Sequence, residues 1–116
     1  MKATDPDLFE KLRILLITMP FSDTVTFKFR PVLLLLNTGN DDVIVARITS
    51  QKTQTVFDFE IIELQQAGLM RSSVVRLHKI NTVEKHLLDR QLGVLQPNDW
   101  EKVDQCIQQI WSSIKE

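Results

Sequence analysis

Apolar residues fall in short, strand-length runs along most of this chain, separated by polar breaks, until the spacing changes near residue 98. Residues 12–18 contain Ile14-Leu15-Leu16-Ile17 and read as a buried first strand. Met19-Pro20-Phe21-Ser22-Asp23-Thr24 interrupts it and opens a loop that runs to about Lys28. Residues 29–36 form a second strand, and Asn37-Thr38-Gly39-Asn40-Asp41-Asp42 is a turn signal. Residues 43–48 are then a third strand, antiparallel to the second across a tight turn. Residues 55–63 alternate, with Val56, Asp58 and Glu60 on one face and Phe57, Phe59 and Ile61 on the other, the pattern of a half-buried strand. Gln65-Gln66-Ala67-Gly68 ends it. Residues 73–77 form the next strand, which 80–83 continue or kink. Residues 84–89 read as one helical turn, and 90–95, with Gly93, as a short last strand closed by Pro97.

From Asn98 the apolar period becomes helical: Trp100, Val103, Ile107, Ile110, Trp111 and Ile114 form one stripe, and Asn98 with Glu101 resembles a capping box. The stripe is assigned to the core or to a dimer interface, and Cys106, beside it, to packing. About six short strands and one C-terminal amphipathic helix over 98–115 predict a mainly β fold, a small and strongly curved sheet or barrel packed by a helix. The whole chain, 1–116, reads as one domain with an N-terminal extension over residues 1–10.

Composition narrows the function classes. Hydrophobic content of 43% and charged content of 25% are those of a globular protein. The formal net charge of −1 means that any nucleic-acid contact needs a local basic patch. The best candidate is the segment 71–90, where Arg71, Arg76, Lys79, Lys85 and Arg90 face only Glu84 and Asp89; an ordinary solvated face is the alternative. A single cysteine excludes an internal disulfide framework and fits a reducing compartment. Asp5, Asp7 and Glu10 stand where a secretory leader would be basic, and the apolar runs are too short to span a membrane, so the expected location is the cytoplasm. The sequence has no metal-ligand spacing, phosphate-cradling glycine loop or hydrolase triad signature, and no cofactor is expected.

The candidate chemistry lies at strand ends. Arg30 sits where a loop enters the second strand, and Thr49-Ser50-Gln51 ends the third, which together suggest an anion site on a rigid platform. The plainer readings are an Arg30–Asp23 ion pair and simple turn chemistry at Thr49-Ser50. Along the strand after Ser73, the side chains of Val74, Arg76 and His78 share a face. Phe21, Phe27 and Phe29 are suited to base stacking or to anchoring the loop. His86 is read as a surface residue.

The ordered blocks Met19-Pro20-Phe21-Ser22-Asp23, Arg30-Pro31-Val32, Val45-Ala46-Arg47-Ile48-Thr49-Ser50-Gln51, Gly68-Leu69 with Ser73-Val74-Val75, and Thr82-Val83-Glu84-Lys85 resemble the MazF/PemK toxins of type II toxin–antitoxin systems. The resemblance covers roughly residues 12–114. It implies an SH3-like small barrel of the CcdB/MazF/Kid type with a C-terminal helix, usually a homodimer. It also implies a metal-independent endoribonuclease acting on single-stranded mRNA and neutralised by the C-terminal segment of a cognate antitoxin. Under it, Arg30 clamps phosphate, Thr49 is a hydrogen-bonding catalytic group, and Arg76 and His78 assist. RNA contacts are expected from Ser22, Asp23, Thr24 and Lys28 on the first loop, and from Ser50, Gln51 and Lys79.

The chain departs from the pattern at several positions. Lys11-Leu12-Arg13-Ile14 stands where relatives open with glycine and an acid, Arg47 where a small residue or proline is common, and Asn81 where arginine is common. His78 replaces an acid, and an imidazole exchanges a proton near neutrality more readily than a carboxylate. The same departures suit an alternative: a non-catalytic binding protein on this fold, either a gyrase poison like CcdB or a degenerate regulator.

Overall fold

The computed structural model describes Glu10, residues 12–20 and residues 27–116, with 19, 20, 27 and 28 described by backbone alone. Among the described residues, six strands, a 3-10 turn and one helix follow in order: β1 (Arg13–Pro20), β2 (Phe27–Asn37), β3 (Asp42–Thr49), β4 (Asp58–Glu60), β5 (Val74–Glu84), the turn Lys85–Leu87, β6 (Leu88–Val94) and α1 (Pro97–Lys115). The strands form one antiparallel sheet in the order β4-β5-β3-β2-β1-β6. The mainly β class with a C-terminal helix is the one expected. Among the described residues, no helix is long and apolar enough to cross a membrane.

Several boundaries move. Pro20 does not stop β1, because Met19 and Pro20 still pair with Lys28 and Phe27; Lys28 therefore belongs to β2 and not to a loop. The predicted strand over 55–63 shrinks to three residues, since a turn at 55–57 precedes it. Residues 73–77 and 80–83 are one strand, β5, whose register against β3 jumps from Ile80 to Arg76 and leaves Leu77, His78 and Lys79 as a bulge. The β2–β3 turn behaves as its composition suggests: Asn37 Oδ1 accepts from the Gly39 N–H at 2.9 Å, and the Thr38 hydroxyl donates to the Asp42 carbonyl at 2.7 Å.

The near-continuous apolar runs of β1 and β2 arise because the sheet buries both faces. Ile14, Leu33, Ala46 and Ile48 pack with Phe59, Ile61, Val75 and Leu77 in one cluster, closed by Val103 and Cys106 of α1. On the opposite face Leu15, Ile17, Val32, Leu34, Val43 and Val45 form a second cluster with Leu88. Each such side chain contributes about 1.5–3 kcal/mol when fully buried.

The helix departs from expectation at its start and on its buried face. Its N-cap is Gln96, with Pro97 in the first helical position and no side-chain cap bond, so Asn98 lies inside the helix instead of capping it. The buried face runs through Asp99, Val103 and Cys106, whereas Trp100, Ile107, Trp111 and Ile114 are exposed. Asp99, fully buried, accepts the N–H groups of Ile62 at 3.0 Å and Glu63 at 3.2 Å, with Lys102 Nζ at 3.9 Å. The loop between β4 and β5 is held from the other side by close backbone contact. A Cβ on Gly68, whose φ is +74°, would lie 2.0 Å from the Leu92 carbonyl oxygen, and one on Gly93 would lie 2.4 Å from Ala67.

Two outcomes test this packing. Asp99→Ala strands two backbone donors, and should lower stability by roughly 2–4 kcal/mol in urea denaturation; a loss near zero would show that the carboxylate does not dock the helix. Burial, and secondarily the Asp58 carboxylate, push the Cys106 thiol up. Cys106 should thus react with an aromatic disulfide reagent many times more slowly in the folded protein than in urea.

Candidate phosphate-binding site

The second apolar face ends in a cationic cleft, and strand periodicity puts it there. Arg30 follows the parity of Val32 and Leu34 on β2, and Arg47 and Thr49 follow that of Val43 and Val45 on β3. Cross-strand register sets Arg47 opposite Val32 on one side and opposite Arg76 on the other, with Asp58 beyond Arg76. Arg30, Arg47, Ile48, Thr49, Gln51 and Arg76 line a cleft of about 240 Å³. Like charges placed directly opposite on neighbouring strands destabilise a sheet, so this row is suited to an anion. Guanidinium groups bind phosphate through a planar fork and stay charged.

Thr49 is half-buried, and its Oγ1 accepts from the Gln51 N–H at 3.2 Å. Its own O–H remains able to donate to a bound anion. A second, more apolar hollow of about 380 Å³ adjoins the cleft and shares Arg30, Ile48 and Thr49 with it. Ser50, Leu69 and Arg71 also line the hollow, the last two carried by the loop that Gly68 presses against β6.

Behind Arg76 lies a buried carboxylate. Asp58 has no exposed side-chain surface, and its Oδ2 accepts the N–H groups of Gln54 at 2.9 Å and Thr55 at 3.1 Å. Its Oδ1 lies 3.6 Å from Arg76 Nε and 3.5 Å from His78 Nδ1. Arg76 Nη2 also donates to Gln54 Oε1 at 3.3 Å. His78 packs its ring against Phe57, with centroids 5.7 Å apart.

The cleft thus unites four of the residues expected at the site from sequence, Arg30, Thr49, Gln51 and Arg76, and Ser50 lies in the adjoining hollow. His78 is beside the site, reached through Asp58 instead of lining the cleft. Lys79 is exposed in the β5 bulge and lines neither depression. Ser22, Asp23, Thr24 and Phe21 lie outside the described residues, as do the side chains of Lys28 and Phe27. The cations of 71–90 do not form one track: Arg71 and Arg76 line the depressions, Lys85 follows β5, and Arg90 sits on β6 opposite Leu16. His86 is a surface residue, 3.2 Å from Glu84.

Three contributors escape sequence reasoning. Arg47 is legible as a charge at an apolar parity, but by sequence it stands out only as a departure from a family pattern. Alternation puts Asp58 on the polar face of its strand; the pairing of β4 with β5, which buries it, has no local signal. Gln54 has none either.

Known proteins share this fold. A family model for PemK-like, MazF-like toxins of type II toxin–antitoxin systems matches residues 10–111. Toxin MazF-mt6 of Mycobacterium tuberculosis is similar in structure, at 25% identity and a TM-score of 0.69, over 86% of this chain and 96% of that one. An endoribonuclease from a mycobacterial species, in complex with its cognate antitoxin, matches at 16% identity over 83% and 87% with a TM-score of 0.67. A MazE-MazF structure from Deinococcus radiodurans matches at 11% identity over 93% and 96% with a TM-score of 0.71. Among curated proteins none matches closely enough to inform the comparison. With the family model spanning nearly the whole chain, and the fold shared with these toxins, the protein belongs to the PemK-like, MazF-like toxin family of type II toxin–antitoxin systems.

Proposed function

We propose that this toxin is a metal-independent endoribonuclease that cleaves single-stranded mRNA. The observation that carries the reading is the cleft in which three arginines and a threonine hydroxyl converge. RNA supplies its own nucleophile. The 2′-oxygen attacks the adjacent phosphorus, the bond from phosphorus to the 5′-oxygen breaks, and the products are a 2′,3′-cyclic phosphate and a 5′-hydroxyl end. The 2′-hydroxyl proton passes to a base, and the departing 5′-oxygen takes a proton from an acid.

In this scheme Arg30 and Arg76 clamp the phosphate, Arg47 adds a third charge, and the Thr49 hydroxyl donates to a non-bridging oxygen whose negative charge grows in the transition state. Proton exchange is assigned to His78, which stands beside the cleft behind Arg76 and Asp58, so the RNA must reach past Arg76 to meet it. The hollow beside the cleft takes a neighbouring nucleotide, and Ser50, Gln51 and the first loop contribute contacts. Two relatives whose structures contain an antitoxin support a cognate antitoxin as partner, with an acidic segment competing for the arginines. The exposed apolar residues of α1 are consistent with a homodimer.

The decisive assay incubates the protein with a long unstructured RNA in EDTA and maps the ends. Discrete cuts bearing 5′-hydroxyl ends are expected, and Arg30→Ala should lower the rate by about 100–1,000-fold with the fold retained. Absence of cuts from well-folded protein would move the assignment to the non-catalytic binding reading, with gyrase the next target. A second outcome concerns Arg47. Arg47→Ala should weaken binding to a non-cleavable 2′-deoxy oligonucleotide and make the plot of log affinity against log salt shallower by about 0.7. An unchanged slope would remove Arg47 from the phosphate contacts.

A further inference from the structure

The carboxylate behind the cleft is built to do more than balance charge. Two backbone N–H groups fix Oδ2 of Asp58, which sets the plane of the carboxylate and aims Oδ1 at a single point. At that point stand Arg76 Nε and His78 Nδ1, at 3.6 and 3.5 Å. Both Asp58 Oδ1 and Arg76 Nε are buried without a hydrogen bond among the described residues. A buried acceptor facing an imidazole nitrogen is repelled by a lone pair there and attracted by an N–H. The nearby Phe57 ring, tilted by 50°, packs against the imidazole.

We infer that Asp58 is a positioning residue for His78: it selects the Nδ1–H tautomer, so that Nε2 carries the lone pair available to a substrate proton. The inference takes from the nuclease reading only what His78 does; how the ring is held rests on the geometry alone. The carboxylate comes from β4 and the imidazole from the bulge of β5. Neither lines the cleft: both stand behind Arg76, which does line it and which Asp58 pairs with directly across the two strands. Removing a proton from a 2′-hydroxyl at Nε2 would leave an imidazolium, and the adjacent carboxylate would stabilise that charge.

The test separates tautomer from turnover. In uniformly ¹⁵N-labelled protein at alkaline pH, two-bond ¹H–¹⁵N correlation spectra identify the protonated nitrogen, and His78→Gln assigns the signal. Wild-type His78 should show Nδ1–H, and Asp58→Asn should shift it toward Nε2–H. In the RNA assay the same variant should lose about 100-fold in kcat, with KM changed by no more than about threefold. A wild-type His78 protonated at Nε2 overturns the inference whether or not RNA is cut, and so does an unaltered tautomer in Asp58→Asn. A changed tautomer with kcat intact overturns its catalytic part. If the wild type cuts no RNA, the nuclease reading falls, while the spectra still decide what Asp58 does. Should Asp58→Asn fail to fold, the wild-type spectrum alone decides between the two tautomers.

Discussion

The constraint on which this molecule depends is that β1 and β2 are apolar on both faces. A sheet of that kind must be covered twice, and the described chain has one helix of 19 residues to do it with. The helix closes one face, through Val103 and Cys106. The other face packs largely upon itself as the strands coil, with Leu88 of β6 joining side chains from β1, β2 and β3. Such a self-covered face is narrow, and it ends where the strands diverge. Because side chains alternate strictly, the positions just past its end on β2 and β3 belong to Arg30, Arg47 and Thr49. The cationic cleft is the rim of a core, placed by the same period of two that built the core.

A row of arginines at a core edge carries a cost. Arg47 and Arg76 occupy directly paired positions, and the sheet holds them there by its register. Asp58 relieves part of the repulsion, but from behind Arg76 and not from within the cleft. An anion that enters the cleft therefore gains twice: it meets preorganised guanidinium groups, and it relieves the repulsion between the paired arginines. Any ligand that binds there also stabilises the folded state, by an amount that grows with the logarithm of its concentration once this exceeds the Kd. An RNA phosphate and an acidic protein segment carry the same kind of charge, so under the proposed function one cleft would both serve a substrate and be blocked by a partner.

Much of this is legible in the chain. The hairpin β2–β3 follows from its turn residues, the helix from its period, and Thr49 from its place at a strand end, whereas Arg30, expected at the mouth of a loop, lies three residues inside β2. What is not legible depends on pairing between distant strands. Residues 55–63 alternate as a longer strand would, yet the Asp58 carboxylate draws the Gln54 and Thr55 amides into a turn, so only residues 58–60 pair with β5. The helix stripe is split for a related reason: Val103 and Ile110 pack on the core, while Trp100, Ile107, Trp111 and Ile114 are exposed. Buried Asp99 faces the sheet because two backbone amides of the loop after β4 need an acceptor, and that turns Trp100 and Trp111 outward. Hydrophobic period alone does not anticipate a helix face chosen by a carboxylate.

Those two carboxylates bear on the same short element. β4 has only three residues, too few to be held by its own ladder, and Asp58 anchors the chain before it while Asp99 anchors the chain after it. Asp99 belongs to the helix and Asp58 to the site, so β4 is the piece through which the helix braces the cleft. The placement of Arg76 and His78 follows from this: each meets the same oxygen of Asp58, and that oxygen is only as well fixed as β4. A phosphate site of the kind proposed would need a rigid support. Here the support is a short strand clamped at both ends by buried charge, which makes the least regular part of the sheet the part on which catalytic geometry would depend most.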